Sequence, residues 1–313
     1  LARHEQGAGF IAQGMARATG EVAVCRASSG PGATNLLTAI ADAKLDSIPL
    51  VAITGQVPKA MIGTDAFQEV DTYGLSIPIT KHNFLVSSTE ELLDIIPRAF
   101  AIAASGRPGP VLIDIPKDVQ ARSIDIASWP EPGRREIPAA PQAEAIAEAA
   151  SMINAATRPL LYLGGGVVHS GAAAAAVELA EKAGLPTVMT LMALGAMPVD
   201  HPLSLGMLGM HGARYCNLAL DECDLLLAVG ARFDDRATGK VAAFCPNAKI
   251  IHIDIDPAEL DKIKASHVGI TADVGETLAQ LLPLIRQNPR DTWLNRIGML
   301  KTEFPQVFAG AYN

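Results

Sequence analysis

The stretch LLYLGGGVVHSGAAAAAVELAEKAGLPTVMT, residues 160–190, contains a complete strand, turn, helix and strand in succession. It begins with four apolar residues, turns at Gly164-Gly165-Gly166, passes through an alanine-rich helical segment and ends in the run Thr187–Thr190. An uninterrupted apolar strand is typical of a strand buried on both faces, and a helix between two such strands is a crossover. The stretch therefore predicts a parallel sheet covered by helices.

The same alternation extends along most of the chain and predicts an α/β protein with two doubly wound parallel-sheet domains. The predicted strands are Val22–Cys25, Leu50–Thr54, Val111–Ile115, Leu160–Leu163, Thr187–Thr190, Leu225–Val229 and Ile250–Asp254. The predicted helices are Glu5–Ala18, Ala33–Ala43, Glu90–Ser105, Ala143–Ala155, Ala172–Ala183, Ala213–Leu220 and Val274–Ile285.

A proline-rich segment interrupts this alternation between Ala121 and Gln142. Its sequence around Trp129-Pro130-Glu131-Pro132 is typical of a semi-rigid linker. We therefore expect a first domain at 1–120, a linker at 121–141, a second, Rossmann-like domain at 142–285 and a further linker at 286–313.

Composition narrows the class of protein. The 313 residues are 49% hydrophobic and 19% charged, which is enough for two apolar cores, and the net charge of −8 argues against a nucleic-acid partner. No apolar run is long enough to cross a bilayer and no signal peptide opens the chain, so a cytoplasmic protein is expected. The four cysteines have neither metal-ligand nor disulfide-framework spacing, so no metal site is predicted.

Five motifs occur in order in the first domain: Arg3–Phe10, Ser29–Asn35, Ile53–Pro58, Gly63–Glu69 and Ser105–Val111. In this order and spacing they resemble the pyrimidine-binding domain of thiamine diphosphate enzymes, specifically the large catalytic subunits of acetolactate synthases. From the residues alone, an ordinary acidic residue in a first helical turn is the favoured interpretation of Glu5. The Ser28–Asn35 loop is compatible with an anion cradle or with a tight strand-to-helix turn.

The resemblance implies roles for individual residues of this domain. Glu5 would exchange a proton with N1′ of the thiamine pyrimidine, which requires that a partner surface bury it and raise its pKa. Gly30 and Gly32 would line the cofactor cleft, and Phe67 and Gln68 would lie near the reacting thiazolium. Pro58 and Lys117 would lie at the mouth of the substrate channel. From the residues alone, Asp65 is predicted to cap a helix that contains Phe67 and Gln68.

In the second domain, the turn at Gly164 lacks the third glycine of a dinucleotide fingerprint, because His169 occupies that position. Two other motifs, Gly206–Gly212 and Val229–Arg236, resemble the FAD-binding central domain of the biosynthetic synthases. The resemblance implies FAD contacts at Arg107, Met210, His211, Gly212, Gly230, Ala231, Arg232, Phe233, Asp254, Ile255, Asp256, Asp273 and Val274. From the residues alone, Arg232 could instead pair with Asp234, and Asp256 could cap a helix at Pro257.

The reaction that the resemblance implies is decarboxylation of pyruvate on thiamine diphosphate, followed by condensation of the hydroxyethyl group with pyruvate or 2-ketobutyrate. Arg236 is the candidate for binding the carboxylate of the second keto acid. The implied cofactors are thiamine diphosphate, Mg²⁺ and a structural FAD, and the implied assembly is a homodimer or homotetramer with a possible small regulatory subunit. The family's Gly-Asp-Gly motif and paired Asn, which hold the metal in a third domain, do not occur, so we interpret the sequence as an internal fragment.

Other functions remain compatible with parts of the sequence. A glyoxylate carboligase does not carry Glu at the position of Glu5, and flavin-free catabolic acetolactate synthases lack the Arg-Phe-Asp-Asp-Arg stretch at 232–236. A nicotinamide-dependent oxidoreductase would require a complete glycine fingerprint. A non-catalytic FAD-binding module is the remaining alternative.

Overall fold

Two sheets, both entirely parallel, organise the chain, one in each of two units. The computed structural model describes residues 2–305, and the units divide between Ile137 and Pro138. The prediction of an α/β fold with two parallel-sheet domains is confirmed.

In the first unit, helices and strands alternate along the chain. They are α1 (Glu5–Thr19), β1 (Ala23–Ala27), α2 (Pro31–Leu45), β2 (Leu50–Gln56), α3 (Thr72–Ser76), β3 (His82–Leu85), α4 (Leu92–Ala104), β4 (Pro110–Pro116) and α5 (Lys117–Ala121).

The sheet of this unit has the strand order β1-β2-β4-β3. Its strands are in register so that Ala27, Thr54 and Asp114 form one row near the carboxyl ends of β1, β2 and β4. Apolar side chains pack on both faces, with Leu36 of α2 on one side and Ala99 of α4 on the other. The segments that follow these three strands therefore leave the sheet at the same edge, where open α/β sheets bind ligands.

The second unit repeats the alternation with a larger sheet. Its elements are α6 (Ala143–Ala155), β5 (Pro159–Leu163), α7 (Gly165–His169), α8 (Ala173–Ala183), β6 (Thr187–Met189), β7 (Ser204–Met207), α9 (Arg214–Glu222), β8 (Leu225–Val229), α10 (Asp235–Thr238), β9 (Lys249–Asp254), β10 (Val268–Thr271), α11 (Val274–Leu281) and α12 (Asp291–Glu303).

The strand order of the second sheet, β10-β9-β8-β5-β6-β7, is that of a doubly wound Rossmann-type fold. The order reverses between β5 and β8, where Leu163 and Val229 are in register. The turns that follow these two strands contain Gly164 and Gly230, so both glycine motifs lie at the topological switch point. Ligands of such sheets bind in the crevice outside this point.

Residues 291–303 correct the predicted linker at 286–313. They form α12, whose Trp293, Ile297 and Leu300 are buried in the same apolar cluster as Tyr162. The indole Nε1 of Trp293 donates a 2.9 Å hydrogen bond to the carbonyl of Pro159 at the start of β5. The helix is thus part of the core of the second unit, and the end of the predicted linker, residues 306–313, lies outside the described part of the chain.

Candidate functional site

Glu5 lies in the first turn of α1. The preceding residue, His4, caps this helix, since its Nδ1 accepts a 3.1 Å hydrogen bond from the backbone N–H of Gln6. Glu5 is half-buried, and its carboxylate accepts a 3.0 Å hydrogen bond from Nδ2 of Asn35. This bond, a backbone hydrogen bond and nearby His4 hold the pKa of Glu5 below its usual value. In this chain Glu5 is therefore an ionised, hydrogen-bonded carboxylate at neutral pH.

The first turn of α2 packs against that carboxylate. A Cβ on Gly32 would lie 3.5 Å from Oε1 of Glu5 and 2.4 Å from Oγ of Ser28. Only glycine fits there without displacing the serine. The structure thus brings Gly32 and Glu5 together, and Asn35 of the same helix supplies a donor.

The loop 63–69 lies against the same glycine-rich turn. A Cβ on Gly30 would approach the backbone of Gln68 to 2.8 Å. Asp65 and Gln68 have left-handed backbones, with φ of 57° and 60°, and Phe67 is 89% exposed. The predicted helix capped by Asp65 is wrong, because the segment is an irregular loop.

Glu69 organises this loop from within. Its carboxylate accepts hydrogen bonds from the backbone N–H groups of Gly63, Thr64 and Ala66. These bonds hold the pKa of Glu69 below its usual value, with the bond from Gly63 as the largest cause. A charged group therefore closes the loop that presents Phe67 and Gln68.

Pro58 and Lys117 follow the carboxyl ends of the neighbouring strands β2 and β4. The backbone N–H of Lys59 donates a 3.1 Å hydrogen bond to Oδ1 of Asp118, which joins the two segments. Arg107 lies elsewhere in the first unit, where its Nε donates to Oγ of Ser47 at 2.8 Å.

In the second unit, the two glycine turns at the switch point touch each other. A Cβ on Gly164 would lie 2.1 Å from the carbonyl oxygen of Gly230, and one on Gly166 would lie 2.7 Å from its Cα. The backbone N–H of Gly166 donates to that carbonyl at 3.1 Å. Beside this turn, Thr190 has a buried Oγ1 with no hydrogen-bond partner among the described residues. An unpaired buried hydroxyl at a strand end is a candidate ligand contact.

The residues after Gly230 turn back into the core. Ala231 and Phe233 are buried, and Arg232 is partly buried between them. The Phe233 ring packs edge-on against Tyr162 and His252, at centroid distances of 5.7 and 5.0 Å. Asp234 caps α10 by accepting from the N–H groups of Arg236 and Ala237, rather than serving as the predicted alternative partner of Arg232.

The segment 209–212 packs against α10. The backbone N–H of Met210 donates to the carbonyl of Arg236 at 2.9 Å, and Asn217 pairs with both backbone groups of Gly209 at 2.9 and 3.0 Å. Met210 and Arg236 line a cavity of about 510 Å³. The Arg236 side chain is 70% exposed, with its Nε 3.7 Å from Asp235. His211 is exposed and Gly212 lies next to the carbonyl of Met207.

The remaining predicted FAD residues follow β9 and β10. Asp254 is buried at the end of β9 and accepts a 2.9 Å hydrogen bond from the N–H of Asp256, with Ile255 between them. Asp256 accepts from the N–H of Ala258 in a turn, so the predicted alternative, a helix capped by Asp256, is wrong. Asp273 caps α11, whose first residue is the buried Val274.

Four residues of these sites were missed by the sequence-based prediction. They are Asn35, Glu69, Thr190 and Asn217. Asn35 and Glu69 belong to the motifs Ser29–Asn35 and Gly63–Glu69, so the sequence contained a signal for them. The roles of Thr190 and Asn217 depend on contacts between segments, which no local pattern indicates.

Comparison with known families decides the class of protein. Residues 1–75 match the thiamine pyrophosphate enzyme N-terminal TPP binding domain, and residues 146–281 match the thiamine pyrophosphate enzyme central domain. The chain belongs to the thiamine pyrophosphate enzymes. The Glu5 site lies in the first of these domains and the paired glycine turns lie in the second, each within its own unit.

Among individual relatives of this thiamine pyrophosphate enzyme chain, the acetolactate synthase isozyme 1 large subunit of Escherichia coli is 66% identical over 305 residues, covering 97% of this chain and 54% of the relative. The acetolactate synthase large subunit of Corynebacterium glutamicum is 50% identical over 98% of this chain and 50% of that relative. The chloroplastic acetolactate synthase 1 of Oryza sativa is 51% identical over 97% of this chain and 49% of that relative. The chain spans about half the length of the curated relatives it matches.

Within residues 2–305, none of the helices combines the length and the hydropathy that a membrane span requires.

Proposed function

We propose that this chain forms the pyrimidine-binding and FAD-binding parts of an acetolactate synthase. The enzyme would decarboxylate pyruvate and join the remaining two-carbon unit to a second 2-keto acid, either pyruvate or 2-ketobutyrate, in branched-chain amino acid biosynthesis. The observation that carries the proposal is the Glu5 carboxylate, oriented by Asn35 beside Gly32 in a chain that is 66% identical to an acetolactate synthase subunit.

Bound thiamine diphosphate would supply a carbon nucleophile once its aminopyrimidine has exchanged a proton. Glu5 is the residue of this chain that would exchange that proton at N1′. Its lowered pKa favours the ionised form, which is the wrong form for donating a proton. Burial of Glu5 under a second protein surface would raise the pKa, so we propose that the working enzyme is a homodimer or a tetramer built from dimers.

The second unit has features that fit FAD. The turns at Gly164 and Gly230 pack against each other at the switch point, outside which such sheets bind their ligands, and Thr190, whose buried hydroxyl has no partner among the described residues, bonds through its backbone to Leu163 at the end of β5. Asp254 and Asp256 follow the neighbouring strand, as expected of carboxylates that bind a ribose. We include in this proposed site the other residues of the second unit that were predicted from the flavin motifs, whereas the FAD contact at Arg107 of the first unit stays a prediction from the resemblance. FAD would be structural in an enzyme without net redox chemistry.

Magnesium has no comparable site here. Across residues 2–305, no three His, Cys, Asp or Glu side chains are grouped so that they could hold a metal ion. We assign no residue of this chain to Mg²⁺ and derive no step from it.

The function is tested with the full-length protein that carries this chain, supplied with thiamine diphosphate, Mg²⁺, FAD and pyruvate. We expect 2-acetolactate, identified by mass spectrometry, and 2-aceto-2-hydroxybutyrate when 2-ketobutyrate is added. Release of carbon dioxide with acetaldehyde as the only other product would overturn the proposal. A cytoplasmic location and a small regulatory subunit are further parts of the proposal.

Replacing Gly164 with alanine is expected to abolish FAD binding. The new methyl group would lie 2.1 Å from the Gly230 carbonyl oxygen and would force the two turns apart. FAD binding is measured by quenching of flavin fluorescence on titration with protein.

The matched control is Gly298→Ala in α12, where a Cβ meets nothing within 4 Å. It should bind FAD normally and gain about 0.5–1 kcal/mol of stability, because alanine is the better helix former. Normal FAD affinity in Gly164→Ala would place the flavin elsewhere.

Replacing Arg236 with alanine is expected to raise the KM for the second keto acid about tenfold to a hundredfold, with a smaller effect on pyruvate decarboxylation. A guanidinium binds a carboxylate through two parallel donors, and charge-assisted bonds of this kind contribute about 1.5–3 kcal/mol. The two reactions are compared by product ratios at fixed pyruvate and varied 2-ketobutyrate.

Lys240→Ala removes another cation from the lining of the same cavity and serves as the control. Equal losses in both reactions for Arg236→Ala would identify Arg236 as a structural partner of Asp235 instead.

A further inference from the structure

Asp114 is a buried carboxylate in β4 to which the proposed chemistry gives no role. Its side chain is fully buried and accepts hydrogen bonds from Oγ1 of Thr54 at 2.7 Å and from Nε2 of Gln56 at 3.0 Å. Burial raises the pKa of Asp114 to about 6, the two hydrogen bonds oppose that rise, and nearby Asp71 adds to it. Buried carboxylates are costly, so one retained in the centre of a sheet calls for a structural or functional reason.

Gln56 connects this carboxylate to a different segment. Its Nε2 also donates to the carbonyl of Val70 at 2.8 Å, and its Oε1 accepts from the N–H of Val57 at 2.9 Å. All these bonds fix the orientation of the amide, because only the nitrogen can face the two acceptors. Asp114 therefore determines which way Gln56 points, and Gln56 holds Val70.

Val70 is the point at which the loop 63–69 joins the rest of the unit. Glu69 closes this loop from inside, and Gln68 lies over Gly30 with a left-handed backbone. Left-handed backbones at non-glycine residues are costly and persist only where the surroundings hold them. The exposed Phe67 has little packing of its own. Its position therefore depends on the Glu69 bonds inside the loop and on the bond from Gln56 to Val70 at the end of the loop.

We propose that Asp114 and Gln56 are positioning residues that set the place of Phe67 and Gln68 at the candidate thiamine site. Thr54 fixes one oxygen of Asp114, the other oxygen orients Gln56, and Gln56 holds the end of the loop. The expected effect of these residues on turnover rests on the proposed function. Their expected effect on the loop does not depend on any cofactor.

Gln56→Leu tests the proposal, with Gln13→Leu as the matched control. Gln13 is also a buried glutamine, and its Nε2 donates to the Ala39 carbonyl at 2.6 Å. Both variants lose a buried amide-to-carbonyl bond between segments, and Gln56→Leu also leaves an oxygen of Asp114 without its donor, so Gln56→Leu is expected to lower stability more. Only Gln56→Leu should release the loop.

The first readout is hydrogen–deuterium exchange of the amides at 63–70 in the protein without cofactors. In Gln56→Leu we expect the exchange rate of these amides to rise about tenfold. The other amides of the first unit, and all amides in Gln13→Leu, should change only as far as the global free energy of unfolding changes. The second readout is steady-state kinetics of the full-length protein. Gln56→Leu should lower kcat about tenfold while KM for pyruvate changes less than about twofold, because the loop is expected to act at the reacting centre.

Asp114→Asn is the second variant, and it preserves the volume of the side chain. The Thr54 hydroxyl can accept from the asparagine amide while the asparagine oxygen accepts from Gln56, but that oxygen is now neutral, so it holds Gln56 more weakly and the loop should exchange faster, by less than in Gln56→Leu. The same change removes a buried charge, so the unfolding midpoint at pH 8 should not fall. A positioning role thus predicts a looser loop without lower stability, which a purely structural role does not.

Equal loop exchange in Gln56→Leu and Gln13→Leu, or unchanged loop exchange in both Gln56→Leu and Asp114→Asn, would overturn the proposal. If the unaltered protein shows no thiamine-dependent turnover, the proposed function fails, and the exchange experiment still decides whether the two residues position the loop.

Discussion

Replacing Glu5 with glutamine is expected to lower turnover about a hundred- to ten-thousandfold, the usual loss when an acid/base group is removed. Glutamine has nearly the same shape, and its amide oxygen can still accept the hydrogen bond from Asn35. The fold should therefore be retained, while the proton at N1′ of the cofactor can no longer be exchanged. Turnover is measured as initial rates of acetolactate formation in the full-length protein, and folding by circular dichroism and the unfolding midpoint.

The control for this variant is Glu21→Gln. Glu21 is an exposed residue just beyond α1, so the substitution removes the same charge from the same unit away from the site. It should retain full activity. Turnover in Glu5→Gln within a few-fold of the unaltered enzyme would disprove the role of Glu5 as the activating acid.

Replacing Trp293 with alanine is expected to destabilise the second unit by about 3–5 kcal/mol, the range for large aromatic side chains in cores. The indole is 2% exposed, and its Nε1 satisfies the Pro159 carbonyl, which would be left without that donor. For a unit of this size the unfolding midpoint should fall by roughly 10 °C. Calorimetry of the full chain would record the change.

The other tryptophan of the chain provides the control. Trp129 is 81% exposed, and Trp129→Ala should change stability by less than about 0.5 kcal/mol. In a Trp129→Phe background, Trp293 becomes the single tryptophan, and its emission reports unfolding of the second unit directly. A midpoint of Trp293→Ala equal to that of Trp129→Ala would contradict the assignment of α12 to the core.

Central strands were predictable because burial on both faces makes their sequences uniformly apolar. The run Leu225–Val229 was predicted with the bounds that the structure has, and all five of its residues are buried. The strands that were missed, β3, β7 and β10, are all edge strands. The residues of β10 alternate between buried and exposed, and its four residues include a glycine, so its sequence resembles that of a loop.

Helix α12 was missed for a different reason. Its segment follows two prolines, at 283 and 289, and four of its 13 residues are charged, a larger share than in any of the predicted helices, and both features are typical of a linker. The spacing of Trp293, Ile297 and Leu300 at i, i+4 and i+7 nevertheless places them on one helical face. The hydrophobic period was present, and the surrounding charge concealed it.

For the candidate site, the sequence could indicate segments and not their contacts. The glycine turns were recognisable because only glycine allows two backbones to approach closely. The partners of the chemically important groups are far apart in sequence. Asn35 is 30 residues from Glu5, and Gln56 is 58 residues from Asp114. Pairings at such separations depend on the strand order, which no local pattern specifies.

The position of α12 also determines when the second unit can finish folding. The central strand β5 is the first strand of that unit to be synthesised, and α12 is the last helix among its described residues. The hydrogen bond from Trp293 to the Pro159 carbonyl joins two residues that are 134 positions apart. At about 5–20 residues per second, roughly 7 to 27 seconds separate the two on the ribosome. During that interval α12 does not yet pack on the face of β5 that carries Tyr162. The nascent chain therefore exposes an apolar surface to chaperones and to other nascent chains until almost the whole unit has been made.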